Sequence, residues 1–281
     1  MNVGVGVPNT LRGADGRLLL AWARQADAGP FSSLGVFDRM VYDSYEPLTT
    51  LAAVAAVTER IRLATMIVIS PLRNTAVLAK TALTIDGLSN GRFTLGIAIG
   101  ARRDDYEITA VPYHQRGRII TQQLADLRTH WENEAIGPRT GQPDGPELLV
   151  GGNSDVTFSR VARYTDGYMH GGGPPRLFAG MADKAVSAWQ AAGRPGKPKL
   201  WGMGYFTLGD PALAEAGADY LRDYYAFTGP FAERIAQGLL TTPQAVHQFI
   251  RSYAEAGCDE LMLFPTAPNL DQLHRLADVI G

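Results

Sequence analysis

Cysteine is nearly missing from this chain: 281 residues contain one, Cys258. No internal disulfide can form and no CxxC pair exists, so a reducing, cytoplasmic setting is expected. Cys258 stands just before an expected strand, where a packing role is sufficient. Basic runs are also missing. Lys and Arg number 26 against 28 Asp and Glu, for a formal net charge of -2. With no basic stripe, neither nucleic acid nor an anionic membrane surface is an expected partner. No apolar run reaches the length of about 18 residues that a spanning helix needs. The chain enters a strand pattern at Asn2–Val7, without a charged-then-apolar leader. Familiar catalytic signatures are absent too: there is no GxSxG, no HExxH and no evident Ser/His/Asp set. His114, His130, His247 and His274 fall on expected loops or helices without metal-ligand spacing. Hydrolytic and metal chemistry therefore have no visible apparatus, and reactivity is expected to come from a bound cofactor.

What is present is a regular alternation of apolar segments. The stretch Ile61–Gly100 shows it most clearly. Arg62–Ile69 is a β-branched run of strand length, ended by Ser70-Pro71, where proline cannot donate to a ladder. Asn74–Leu88 carries Val77, Leu78, Ala82, Leu83 and Ile85 at helical spacing, and Ser89-Asn90-Gly91 supplies a stop. Arg92–Ile99 is a second apolar strand. Neither strand alternates cleanly between polar and apolar, as expected when both faces are covered. Two such strands joined by a helix form a parallel βαβ unit.

The rest of the chain repeats this unit. Strands are expected at Val3–Val7, Leu34–Phe37, Leu148–Val150, Gly167–His170, Lys199–Leu208 and Glu260–Phe264. Helices are expected at Leu18–Ala28, Glu46–Arg60, Arg116–Glu134, Val156–Tyr164, Arg176–Ala192, Pro243–Ala256 and Leu270–Ile280, with helical segments between Leu208 and Gly238. Asp15, Asn153 or Ser154, and Thr242 are the expected caps. Residues 135–145 read as a polar loop. Eight strands, each followed by helix, in a chain that is 46% hydrophobic imply a single α/β domain over residues 1–281, a (β/α)8 TIM barrel. A doubly wound open sheet is the alternative. It is disfavoured by the strand count and by the lack of GxGxxG after the first strand.

Barrel chemistry sits at the C-terminal strand ends. That rule selects Pro8 and Asn9, Asp38 and Arg39, Ser70 and Arg73, Gly100, Arg102 and Arg103, Gly151, Gly152 and Asn153, His170 and Gly171, and Phe264 and Thr266. The pair of glycine loops Gly151-Gly152-Asn153 and Gly171–Gly173 is the strongest signal among them. The first glycine loop opens onto a helix N-terminus, which suits a phosphate, although a tight turn alone would also explain it. Asp38 and Arg39 are either polar-ring contacts or a rim salt bridge. Arg102 and Arg103 are either substrate contacts or a solvated loop. His170 is either an acid or phosphate contact, or a structural donor.

Four segments resemble the bacterial luciferase-like family of flavin- and deazaflavin-dependent oxidoreductases. They are IRLATMIVISPLRNTAVLAKTALTIDGLSNGRFTLGIAIG, RRDDYEITAVPYHQRGR, LLVGGNSDVTFSRVARYTDGYMHGGGPP and AGCDELMLFPTAPNLDQL. They follow the family's order over most of the chain, and the family's fold is a (β/α)8 barrel. The resemblance implies a bound FMN or coenzyme F420 in its reduced form at the C-terminal mouth. It implies that Gly151, Gly152, Asn153, His170 and Gly171 hold the cofactor phosphate. It further implies a non-prolyl cis peptide at Met66–Ile67 that backs the ring, with Asp38 near it. Two departures stand out. Many members carry histidine where this chain has Arg39, and some carry an acidic residue where it has Ala101. Catalytic candidates are therefore Asp38, Arg39 and His170, with no proton donor assigned. Arg39, Arg102, Arg103 and Tyr106 are the candidate substrate contacts. Residues 135–145 are short for the family, which implies a more open pocket.

Two chemistries are compatible with that resemblance. One is oxygenation of an organic substrate with reduced FMN from a separate reductase. The other is hydride exchange through F420, slightly favoured by the Ala-, Gly- and Arg-rich composition. A non-catalytic flavin-binding barrel and a phosphate-substrate lyase or isomerase are the alternatives. The latter lacks a lysine at a strand end, since Lys80, Lys184 and Lys197 lie elsewhere and Lys199 begins a strand. A small-molecule substrate is expected, and helices flanking the second to fourth strands offer a possible homodimer face.

Overall fold

The computed structural model describes residues 1–133, 135–138 and 141–281. Its centre is a closed parallel barrel. Nine strand segments run β1 (Asn2–Gly6), β2 (Ser33–Val36), β3 (Arg62–Thr65), β4 (Val68–Ile69), β5 (Phe93–Ala98), β6 (Glu147–Gly151), β7 (Gly167–Met169), β8 (Lys199–Phe206) and β9 (Glu260–Pro265). They pair in the order β3-β2-β1-β9-β8-β7-β6-β5-β4, and a β3–β5 pairing closes the ring. β3 and β4 are two halves of one barrel strand, interrupted by a cis peptide at Met66–Ile67. Eight barrel strands result, as the sequence implies.

The helices are α1 (Gly16–Ala28), α2 (Pro47–Ala55), α3 (Thr75–Leu88), α4 (Arg103–Ile108), α5 (Arg116–Glu132), α6 (Asp155–Tyr164), α7 (Pro175–Ala191), α8 (Pro211–Tyr224), α9 (Phe231–Gln237), α10 (Pro243–Glu255) and α11 (Leu270–Ile280). α2 ends at Ala55, five residues before the expected Arg60. α4 falls where the sequence suggests only a loop. The expected helix end at position 134, and positions 139 and 140 of the expected polar loop, lie outside the described residues. Asp15 and Thr242 cap as expected, accepting from Leu18 N at 2.8 Å and Ala245 N at 3.1 Å.

Strand side chains divide into two layers, because successive residues face opposite sides. Val5, Leu34, Leu95, Val150, Tyr168 and Leu263 face the helices. Ala64, Leu149, Met169, Trp201, Met203 and Met262 fill the lumen. The lumen is crowded enough to require glycine opposite its largest groups. A Cβ at Gly6 would stand 2.0 Å from the Phe264 ring, and one at Gly96 would stand 2.3 Å from Met169 Sδ. Gly6→Ala and similar changes would therefore displace lumen side chains outright.

The base of the barrel is held by carboxylates. Asp27 at the end of α1 accepts the backbone N–H groups of Glu59, Arg60 and Ile61 at 2.9, 3.0 and 2.7 Å, fixing the entry to β3. Burial opposes its charge, but these donors together with Arg60 outweigh that and leave the carboxyl below its ordinary value. This depressed acid stabilises the fold above its unfolded value of 3.8, and the contribution fades as pH falls through the folded value. Asp27→Ala is expected to cost about 1–2 kcal/mol at pH 7, a modest figure because solvent screens the site. The difference from wild type should shrink below pH 3.8 in urea titrations. A pH-independent difference would show that the carboxylate is not its source.

Candidate cofactor site at the barrel mouth

The expected site residues do converge on the C-terminal mouth, but the structure commits them differently. Asp38, after β2, is buried and fully engaged. Its Oδ2 accepts from Arg73 Nη1 at 2.6 Å and Ile69 N at 2.8 Å, and its Oδ1 accepts from Arg73 Nη2 at 3.1 Å. Burial pushes the Asp38 carboxyl up, and Arg73 and the Ile69 N–H work against that push. Burial likewise opposes the Arg73 charge, yet Asp38 and Glu46 hold the guanidinium above its ordinary value. Arg73 also reaches Glu46 Oε1 at 3.0 Å, and Glu46 caps α2 through Thr49 N at 2.6 Å. Asp38 is thus spent on clamping β4.

Arg39 is not presented to the mouth either. It lies buried between the rings of Tyr42 and Tyr224, 4.7 and 4.8 Å from their centroids, and donates to Tyr224 O at 3.1 Å. Asp105 anchors the same region, accepting from Met40 N and Val41 N at 3.0 and 2.7 Å. Its other oxygen lies 3.9 Å from Arg39 Nε and 3.9 Å from Arg102 Nε. Arg102 is further drawn to Asp104 at 2.6 Å and to the Phe227 ring. Tyr106 is buried, its hydroxyl donating to Ile99 O, and burial raises its pKa. Of the four candidate substrate contacts, Arg39, Arg102 and Tyr106 therefore have internal partners. Arg103 alone is exposed, over the Tyr113 ring at 4.5 Å. The opposite arrangement was equally compatible with their positions in the sequence, which does not say which way loop side chains turn.

His170 follows β7 in the same phase as Tyr168, so it faces the helices. Its ring lies edge-on to Phe178 at 5.7 Å, and Nδ1 pairs with the Tyr168 hydroxyl at 3.1 Å. Nε2 is buried without a hydrogen bond among the described residues. Burial lowers its pKa to about 4, only partly offset by the Gly172 backbone, so the imidazole is neutral at neutral pH. That burial disfavours a protonated His170 at neutral pH.

The glycine loops form a cradle. Gly152 has φ of 140°, open to glycine and strained for other residues. A Cβ there would stand 2.6 Å from Thr157 Oγ1. On Gly151 it would stand 3.6 Å from Ala98 Cβ and 3.7 Å from Ile67 Cγ2, which puts the β4, β5 and β6 ends side by side. On Gly171 it would project into open space. Ser154 occupies the N-cap position of α6 but makes no cap bond; its hydroxyl instead pairs with Thr157 Oγ1 at 3.2 Å. Among the described residues, the N–H groups of Gly152, Asn153, Ser154 and Gly171 reach no protein acceptor. Asp155, at the first position of α6, is exposed and paired with Lys184 at 3.1 Å. Open N–H groups at a helix N-terminus, walled by glycine, fit a phosphate monoanion or dianion. Thr157 was not legible as a member of this cradle, because a threonine inside an expected helix carries no outward signal.

Arg103 is not alone at the rim. Arg116 stacks on the other contact of Tyr113 at 3.7 Å and donates to Tyr113 O at 2.8 Å. Neither guanidinium is paired with a carboxylate among the described residues, so this side of the mouth is electropositive.

A closed parallel barrel with helices between its strands and an apolar lumen defines a (β/α)8 protein, whose C-terminal mouth carries the N–H cradle. The chain belongs to the luciferase-like monooxygenase family, whose sequence profile matches residues 1–257. An uncharacterized protein of Mycobacterium tuberculosis is 31% identical over 188 residues, 54% of this chain and 65% of that protein. The match thus spans slightly less than two thirds of that relative. The fold is shared with an F420-dependent secondary alcohol dehydrogenase in complex with an F420-acetone adduct. The TM-score is 0.80 at 17% identity, covering 100% of this chain and 98% of the other. It is also shared with the oxygenating constituent of 3,6-diketocamphane monooxygenase from the CAM plasmid of Pseudomonas putida, in complex with FMN. There the TM-score is 0.74 at 16% identity, covering 100% and 96%.

Proposed function

We propose that this protein is an oxidoreductase that holds a reduced flavin-type cofactor at the barrel mouth and acts on a small organic substrate, with F420 favoured over FMN. The observation that carries the reading is the cradle: four backbone N–H groups without acceptors among the described residues, on two neighbouring strand ends, beside an apolar lumen. Family membership supports it, and proteins of this fold are described with F420 and with FMN.

When bound, such a cofactor supplies the redox electrons. This chain's residues would do the rest. Gly152, Asn153, Ser154 and Gly171 would hold the phosphate through their N–H groups. Thr157 Oγ1 lies within reach of that cradle. Ile67, Ala98 and Gly151 would form the apolar floor beside the ring, and the Asp38–Arg73 pair keeps β4 in place beneath it. Burial among Met66, Met203 and Phe264 would exclude water from the reacting face. A separate reductase supplying the reduced cofactor and a homodimer through helices near the second to fourth strands belong to the same proposal.

The test is equilibrium binding of F420 and FMN, each oxidised and reduced, followed by ring fluorescence. Tighter binding of F420 than of FMN is the expected result. Preference for reduced FMN would move the reading to oxygenation, and failure of both to bind would overturn it.

A further inference from the structure

The lumen ends in a cluster of aromatic rings below the segment that follows β8. Phe37 stacks on Phe264 at 3.8 Å with 23° between planes, and Tyr205 lies 5.9 Å from Phe37. Tyr205 is the last inward-facing residue of β8, in phase with Trp201 and Met203. Its hydroxyl lies 2.6 Å from that of Tyr225, which follows α8 and is partly exposed at the mouth. We propose that the Tyr205–Tyr225 hydroxyl pair is the substrate-facing hydrogen-bond donor of this site, and that the substrate is an uncharged organic molecule presenting a carbonyl or hydroxyl oxygen. The substrate assignment rests on the oxidoreductase reading above.

Three observations lead there. First, the charged groups near the lumen are already committed. Asp38 holds Arg73 and Ile69 N, Asp105 holds the Met40 and Val41 N–H groups, and Arg39 lies between two rings. His170 faces the helices. Arg103 and Arg116, the rim guanidiniums without carboxylate partners among the described residues, stand over the Tyr113 ring. A carboxylate or ammonium drawn past them into the lumen would meet no free counter-charge among the described residues, and burying an unpaired charge is strongly unfavourable. Second, two hydroxyls carry two protons. One is used in the bond between them, and the other reaches no acceptor among the described residues. A phenol pair therefore keeps one donor to spare. Third, burial raises both phenol pKa values, so both protons are in place across the physiological range. The hydrogen bond with Tyr205, and after it the nearby Arg39, offset the rise at Tyr225 only in part. The pair can donate and cannot act as a resident base.

The test compares three probes of one shape: cyclohexanone, methylenecyclohexane and cyclohexanecarboxylate. Binding is measured by saturation-transfer NMR on the full chain, with and without F420. One hydrogen bond is expected to make the ketone bind about tenfold more tightly than the alkene. The carbonyl stretch of the bound ketone should move to lower frequency. Tyr225→Phe and the Tyr205→Phe/Tyr225→Phe pair should remove both the preference and the shift, while alkene binding persists as evidence of an intact lumen. A ketone bound no better than the alkene, or not at all, would overturn the proposal. So would a tighter carboxylate, or a preference that survives the double substitution. Cofactor titration of the wild type separates the two readings. A tyrosine-dependent ketone preference without F420 or FMN binding keeps the donor pair and discards the oxidoreductase. Cofactor binding without the preference does the reverse.

Discussion

Arg73→Met will destabilise the fold by about 3–5 kcal/mol, the cost of leaving a buried carboxylate without its partner. Arg73 gives Asp38 two hydrogen bonds, and Asp38 has almost no contact with solvent to replace them. In the variant the Asp38 carboxyl should link stability to pH with a sign opposite to that expected of the Asp27 carboxyl. Burial already pushes Asp38 up, and without Arg73 it would rise further. An acid whose folded pKa exceeds its unfolded value penalises folding at high pH and releases that penalty as pH falls. The deficit relative to wild type should therefore shrink on acidification from pH 8 to pH 5 in urea titrations. Asp38→Asn in the Arg73→Met background should recover much of the loss, because it removes the stranded charge. A single-variant loss below about 1 kcal/mol would mean that solvent or Glu46 satisfies Asp38 unaided.

Gly152→Asp will abolish phosphate-dependent cofactor binding, with a loss of at least about a hundredfold, equivalent to two or more charge-assisted hydrogen bonds. The change places a carboxylate where the open N–H groups point. It also imposes strain at φ of 140° and a clash with Thr157 Oγ1, so some stability, about 1–3 kcal/mol, will go with it. Gly171→Asp separates the two effects, since a Cβ there meets open space. It should weaken binding of F420, FMN and inorganic phosphate without the accompanying fall in melting temperature. Unchanged phosphate binding in both variants would mean that the cradle is not the anion site.

The barrel was legible because its strands are covered on both faces and read as short apolar runs at even spacing. The break between β3 and β4 was not visible in periodicity; the resemblance alone implied it. α4 escaped because Arg103–Ile108 is a single short helix with four charged residues and no apolar stripe. For the site, strand ends identified which residues gather at the mouth, and Gly151, Gly152 and Gly171 need only backbone to serve there. Side-chain commitments were hidden. Nothing local distinguishes an Asp38 that faces a ligand from one that faces Arg73, 35 positions away. His170 is a partial exception. Period-two alternation from the lumen-facing Met169 would have turned it toward the helices. Tyr225 belongs to the connection between β8 and α10, whose helices give no sequence sign of which face they lay over the lumen.

That connection, from the end of β8 to the start of α10, supplies Ala218, Leu221, Tyr220, Tyr225 and Ala236 to the group of residues closing the lumen. The phosphate cradle comes from the β6 and β7 loops instead. Under the proposed function, recognition of the carrier and recognition of what it reacts with would be encoded in separate stretches of the gene. Each can drift without disturbing the other, so relatives could keep one and exchange the other in a single recombination event.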